Sequence, residues 1–183
     1  MSAARGSAVN EYNRNKTEIA DRNTRRSPVY TAAVSGNYKD LMRLIKEGES
    51  INARADNNNT PLIAACENRR SIICKVLIEN GAEVHVTNKL GKTALHKAVY
   101  NGLLPIVKML LDKGVDLNIQ DDVYGNTPLH KACEYDQYEA ARLLISKGCD
   151  TNLKNKVCGY MIIYTTNRTY LLHALLIVFG LHF

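Results

Sequence analysis

His96 and His130 are the side chains of this 183-residue chain best suited to chemistry near neutral pH. An imidazole can carry a proton or bind zinc. Either task needs company: a nucleophile and an orienting group, or further ligands at short spacing. Neither surrounds these two. His96 ends the string Thr93-Ala94-Leu95-His96, and His130 ends Thr127-Pro128-Leu129-His130, 34 residues later (130 − 96). Ser71, Ser146 and the cysteines lack the flanking residues of a hydrolase nucleophile. No glycine loop is spaced to cradle phosphate. No catalytic, cofactor-binding or metal-ligating residue is assigned, and no cofactor is expected.

The histidines point to something larger. Thr60-Pro61-Leu62 is a third copy of the string, 33 residues before Thr93 (93 − 60), and Ser27-Pro28-Val29 is a weaker fourth, another 33 back (60 − 27). A fixed period of this size marks one supersecondary unit stacked several times, with a core shared between neighbours. The hydroxyls of Thr60 and Thr127 suit an N-cap. Pro61 and Pro128 follow at the first helical position, where no N–H is needed. The short helices that follow hold Ala32, Ala65, Ala98 and Ala132 at matching places, small enough for a second helix to pack close.

The second helices carry apolar residues at steps of three and four, as a period of 3.6 requires: Ile73, Val76 and Leu77; Ile106, Val107, Leu110 and Leu111; Ala140, Leu143 and Leu144. Pro105 falls in the first turn of its helix and breaks nothing. Gly48, Gly81, Gly114 and Gly148 follow as helix stops. A polar stretch then leads to Gly91 or Gly125, or to Asn58, which tolerates positive φ and can substitute. The expectation is four helix pairs from about Ser27 to Gly148, joined by extended arms with tight turns.

These residues resemble the ankyrin repeat, whose pattern is roughly G-x-T-P-L-H-x-A, an apolar second helix, then G-A-x-x-N. Gly125-Asn126-Thr127-Pro128-Leu129-His130-Lys131-Ala132 matches fully, and Gly91 to Ala98 departs only at Ala94. Ile63 and Tyr30 stand where the pattern has histidine. The resemblance implies an all-α solenoid with short hairpin arms on one side. It also implies a structural histidine at 96 and 130, bonded to backbone and threonine groups and tying neighbouring units together. The function it implies is non-enzymatic binding of a partner protein.

The positions that the pattern leaves free are the candidates for contact with that partner. On the first helices these are Lys97, Tyr100, Lys131, Glu134 and Tyr135. On the arms they are Lys89, Leu90, Lys92, Asp122, Val123, Tyr124 and Asn126. Together they would line one concave face. Tyr100, Tyr124 and Tyr135 carry the most weight, because tyrosine supplies contact area at low entropic cost.

Composition sets the remaining bounds. The formal net charge is +6. Arg5, Arg14, Lys16, Arg22, Arg25 and Arg26 supply part of it against Glu11, Glu18 and Asp21, whereas the repeat lysines are scattered among acids. That is not the pattern of a nucleic-acid module. Residues 1–26 read as a polar, disordered segment with no signal-peptide core. Residues 27–159 read as the repeat domain, with the start of a fifth unit. Five cysteines without a C-x-x-C pair argue for reduced thiols in a cytoplasm. His85, on an arm, is expected to be solvated. Asn167-Arg168-Thr169 has the form of a glycosylation acceptor, which carries little meaning without a secretion signal. A monomer is expected.

Residues 160–183 break the pattern. Asn155 to Gly159 align with Asp121 to Gly125, but Tyr160-Met161-Ile162-Ile163-Tyr164 then replaces the repeat string. The apolar run that ends at Phe179 is shorter than the roughly 17–25 residues a bilayer span needs. A capping helix is one reading. Another is a frameshift, since a one-nucleotide shift across Tyr164 to Arg168 can restore the residues of Thr60 to Ala64. The second reading makes the chain a truncated remnant of a longer repeat protein, without activity.

Overall fold

The computed structural model describes residues 27–55 and 57–156. The readings made for residues 1–26 and 160–183, the frameshift and the cap included, lie outside the described residues, as does Cys158. Among the described residues the chain forms eight helices and no strand. They come in pairs: α1 (Pro28–Ser35) with α2 (Tyr38–Lys46), α3 (Pro61–Glu67) with α4 (Ser71–Glu79), α5 (Ala94–Tyr100) with α6 (Leu104–Asp112), and α7 (Pro128–Glu134) with α8 (Tyr138–Ser146). First helices stack on first helices and second on second, giving two layers. From the second pair onward the first helix has seven residues and the second has nine. The layer of first helices is thus about 3 Å shorter along its helix axes, at 1.5 Å per residue.

Each first helix starts where a hydroxyl meets an otherwise unpaired N–H. The side chains of Thr60, Thr93 and Thr127 accept from the backbone N–H of Ile63, His96 and His130. Ser27 accepts one residue earlier, from Val29. Pro105 lies in the first turn of α6. The second helices are capped less well: Arg70, Leu103 and Gln137 make no side-chain cap bond, and only Asn37 does. Those later helices are held by burial. Ile73, Leu77, Ile106, Val107, Leu110, Ala140 and Leu144 are all buried, within one continuous core that includes Ala65, Ala98 and Ala132. A fully buried leucine contributes about 1.5–3 kcal/mol, more than a missing cap costs.

The turn inside each pair shows a feature the sequence pattern hides. Gly36, Arg69, Gly102 and Asp136 hold equivalent places, and all four have positive φ, from 53° at Asp136 to 81° at Gly36. Arginine and aspartate there adopt a conformation that an L side chain disfavours by about 1–2 kcal/mol. Asn58, at φ 61°, takes the arm position that Gly91 and Gly125 take at 67°. The arms are tied at a regular step: the N–H of Lys89, Asp122 and Lys156 donates to the carbonyl of Asn57, Leu90 and Tyr124, at 2.9, 3.0 and 2.7 Å. A Cβ at Gly91 would lie 2.7 Å from the backbone nitrogen of Asp122, so this close approach admits no side chain.

Candidate functional site

The two histidines sit at the third position of their helices and close reciprocal caps. Thr93 donates to His96 Nδ1 from its backbone N–H (3.2 Å), and its hydroxyl lies 2.9 Å from the same nitrogen. Thr127 repeats this with His130 at 3.2 and 2.8 Å. With Nδ1 accepting, Nε2 carries the proton, and His96 donates it to the carbonyl of Asn126 in the next unit at 3.0 Å. Burial lowers the pKa of His96 to about 4, while the bond to the Asn126 carbonyl pulls the other way. A proton on Nδ1 would also face the Thr93 N–H, donor against donor. His130 is likewise lowered by burial. Both rings therefore stay neutral at pH 7 and act as braces. His85 is exposed on its arm.

The arms hold a second network, which the sequence reasoning missed. Asn88 donates to Asn59 Oδ1 at 2.8 Å, and Asn155 donates to Asn126 Oδ1 at 2.8 Å. Asn59 and Asn126 directly precede the cap threonines, as Lys92 does; Asn88, Asp121 and Asn155 are the matching arm residues one unit on. At the middle junction Lys92 and Asp121 stand at the places where the neighbouring junctions pair asparagines. Asp121 is 1% exposed; its Oδ1 accepts from the N–H of Tyr124 and Asn126, but its Oδ2 has no hydrogen-bond partner among the described residues. The signal in the sequence was the asparagine spacing of the arms.

Seven of the predicted contact residues border one cavity of about 410 Å³: Lys92, Lys97, Tyr100, Tyr124, Lys131, Glu134 and Tyr135. Glu67 and His96 border it as well, though neither was predicted to do so. The rings of Tyr100 and Tyr135 meet edge to face, with centroids 4.4 Å apart. Lys131 Nζ lies 5.7 Å from the centroid of Tyr135 and 5.9 Å from that of Tyr124, within cation–π range. Lys97 pairs with Glu67 at 2.5 Å and Lys131 with Glu134 at 2.7 Å. Burial, and then the Glu134 charge, raise the pKa of Tyr135, so its hydroxyl keeps its proton.

The other predicted contacts divide. Lys89, Leu90, Asp122 and Val123 are exposed along the arms but do not border the cavity. Asn126 was expected on the open face, and the structure corrects this. It is only 4% exposed, because its carbonyl takes His96 and its side chain takes Asn155. Lys131 borders the cavity but is only 8% exposed, with its ammonium held near Glu134, Tyr124 and Tyr135.

The thiols lie elsewhere. Cys66, Cys74, Cys133 and Cys149 are free and buried, with Cys66 Sγ and Cys74 Sγ 3.5 Å apart. Burial pushes Cys133 up to about 12 and Cys149 to about 11. The contact with Cys74, and then burial, raise Cys66. Cys66, Cys133 and Cys149 therefore keep their protons at neutral pH. Among the described residues no group of three or more His, Cys, Asp or Glu side chains could hold a metal ion.

Comparison with known proteins settles the family. The family model for ankyrin repeats in three copies matches residues 1–88 and 73–155. The chain belongs to the ankyrin-repeat family. An ankyrin repeat protein of Fowlpox virus (strain NVSL), FPV031, is 36% identical over 98 residues, which is 52% of this chain and 29% of that protein. The ankyrin repeat and KH domain-containing protein mask-1 of Caenorhabditis elegans is 36% identical over 95 residues, 50% of this chain and 4% of that one. The E3 ubiquitin-protein ligase XBAT32 of Arabidopsis thaliana is 29% identical over 107 residues, 58% of this chain and 21% of the ligase. The chain spans less than a third of the length of these relatives. Ankyrin repeats are in general protein–protein interaction units, and what surrounds them in each relative differs.

Proposed function

We propose that this chain is a non-enzymatic interaction module that holds a partner protein on the concave face of its repeat stack. The observation that carries this reading is the aromatic cluster. Tyr100, Tyr124 and Tyr135 are 44%, 49% and 40% exposed, yet they converge on one cavity from two first helices and an arm. A solvated surface gains nothing from three converging tyrosines, whereas binding faces are enriched in them. Both histidines are committed to caps, which supports the non-enzymatic reading. The free thiols support a reducing, cytoplasmic setting, and a monomer is part of the same proposal.

The test is affinity capture with the full chain and two double variants. Tyr100→Ala with Tyr135→Ala should weaken capture of a partner protein at least tenfold. Glu79→Ala with Asp112→Ala, on the outer helices, should leave it unchanged. Equal losses would place the interface elsewhere. Capture of nothing above background would favour the competing reading, an inactive remnant of a longer repeat protein.

A further inference from the structure

Taking the concave face as the binding face, as proposed above, we infer that its occupant is an acidic, extended peptide segment. A carboxylate would sit against Lys92, and an aromatic or branched apolar side chain against the Tyr100–Tyr135 pair. Charge decides the sign. Three lysines and two glutamates border the cavity, and the glutamates are both engaged, Glu67 by Lys97 and Glu134 by Lys131. Lys92 makes no ion pair among the described residues, and Asp121 at the matching arm position gives its Oδ1 to the N–H of Tyr124 and Asn126. A cation in a partly covered site gains most from a partner's carboxylate, because little water remains to compete.

A cavity of about 410 Å³ takes two or three side chains, the number that successive same-face residues of an extended segment supply. Tyr100 and Tyr135 are 44% and 40% exposed, so their edge-to-face pair offers aromatic surface to a third ring. Neither segment of this sequence outside the described repeats is acidic, with six cations against three acids in residues 1–26 and no Asp or Glu in residues 157–183.

The test uses the full chain and two random copolymers, poly(Glu,Tyr) and poly(Lys,Tyr), followed by fluorescence anisotropy. Poly(Glu,Tyr) should bind saturably. Lys92→Glu, and separately Tyr100→Ala with Tyr135→Ala, should each weaken it tenfold or more. Lys75→Glu makes the same charge change on outer helix α4 and should shift binding less than twofold. Lys92→Gln and Tyr100→Phe serve if the stronger variants lower the melting point. Equal losses from Lys92→Glu and Lys75→Glu would mean diffuse attraction and overturn the inference. Tighter binding of poly(Lys,Tyr) that still needs the tyrosines would overturn the acidic class and leave the concave face standing. Binding unmoved by any cavity variant would overturn both. A chain that binds neither copolymer also overturns the inference.

Discussion

His96 and His130 stand in nearly the same string, make the same cap, and end differently. Both accept at Nδ1 from the threonine three residues before them. His96 then reaches the Asn126 carbonyl of the following unit, while His130 Nε2 is buried with no partner among the described residues. The position that would answer Asn126 is Tyr160, outside those residues. The motif therefore specifies the bonds within its own turn, and the neighbouring unit specifies the bond between turns. A repeat's contribution to stability is part its own and part its neighbour's.

The strongest way to break this comparison is substitution. His96→Ala should lower stability by roughly 2–4 kcal/mol, since it leaves both the cap N–H and the next unit's carbonyl without the ring. His130→Ala should cost roughly 1–3 kcal/mol, about one net hydrogen bond less. Urea denaturation measures both. Equal losses would mean either that the Asn126 bond adds nothing or that His130 Nε2 has an equal partner outside the described residues. A loss of partner binding at His130→Ala without a loss of stability would mean that this residue belongs to the interface.

Acid probes the same junction. The pKa of His96 falls from an ordinary 6.5 to about 4 on folding, so the folded state prefers the neutral ring. That preference is fully present above pH 6.5 and is lost as the pH falls towards 4, because the unfolded chain takes up the proton first. At pH 5 the loss from this one group should be roughly 2 kcal/mol, at 1.36 kcal/mol per unit. His130 shifts in the same direction and adds to it. Urea midpoints at pH 7 and pH 5 measure the loss, and His96→Gln should flatten the dependence. An unchanged slope in that variant would place the acid sensitivity elsewhere.

The arms allow a finer comparison, with two asparagine junctions flanking a lysine–aspartate one. Lys92→Asn with Asp121→Asn would give the middle junction the pair found at Asn59 and Asn88. The double variant should be more stable than the sum of its single variants predicts, by about 1 kcal/mol. Simple additivity in a double-mutant cycle would show that the two positions do not pair. The smallest effect belongs to the left-handed turn. Arg69→Gly should raise stability by about 0.5–1 kcal/mol, since glycine removes the strain at φ 58° while only an exposed bond to the Asn101 carbonyl is lost. A lower thermal midpoint would show that the bond outweighs the strain.

Much of the fold was legible because its signals are local. A hydroxyl before a proline, an apolar step of three or four, and a glycine after the last turn each act within a few residues. Their recurrence every 33 or 34 residues names the architecture. Even Asn58 could be read as a glycine substitute, and its φ of 61° agrees. Arg69 and Asp136 could not be read this way, since nothing in their types announces a positive φ. Their strain is imposed by the helices on either side.

The candidate site was legible only as a set of positions. Period and pattern placed Tyr100, Tyr124 and Tyr135 where the repeat leaves residues free. They could not show that two of the rings touch, or that Glu67 joins them from the preceding unit. Asn126 shows the limit most clearly. Its place on the arm suggested exposure, and only stacking against the units on both sides buries it. The sequence by itself determined the repeating unit, its caps and its stops, because those are contests between neighbours along the chain. Tertiary structure alone decided which polar groups face the next unit and which are left for a partner, because such contacts join residues some 30 positions apart.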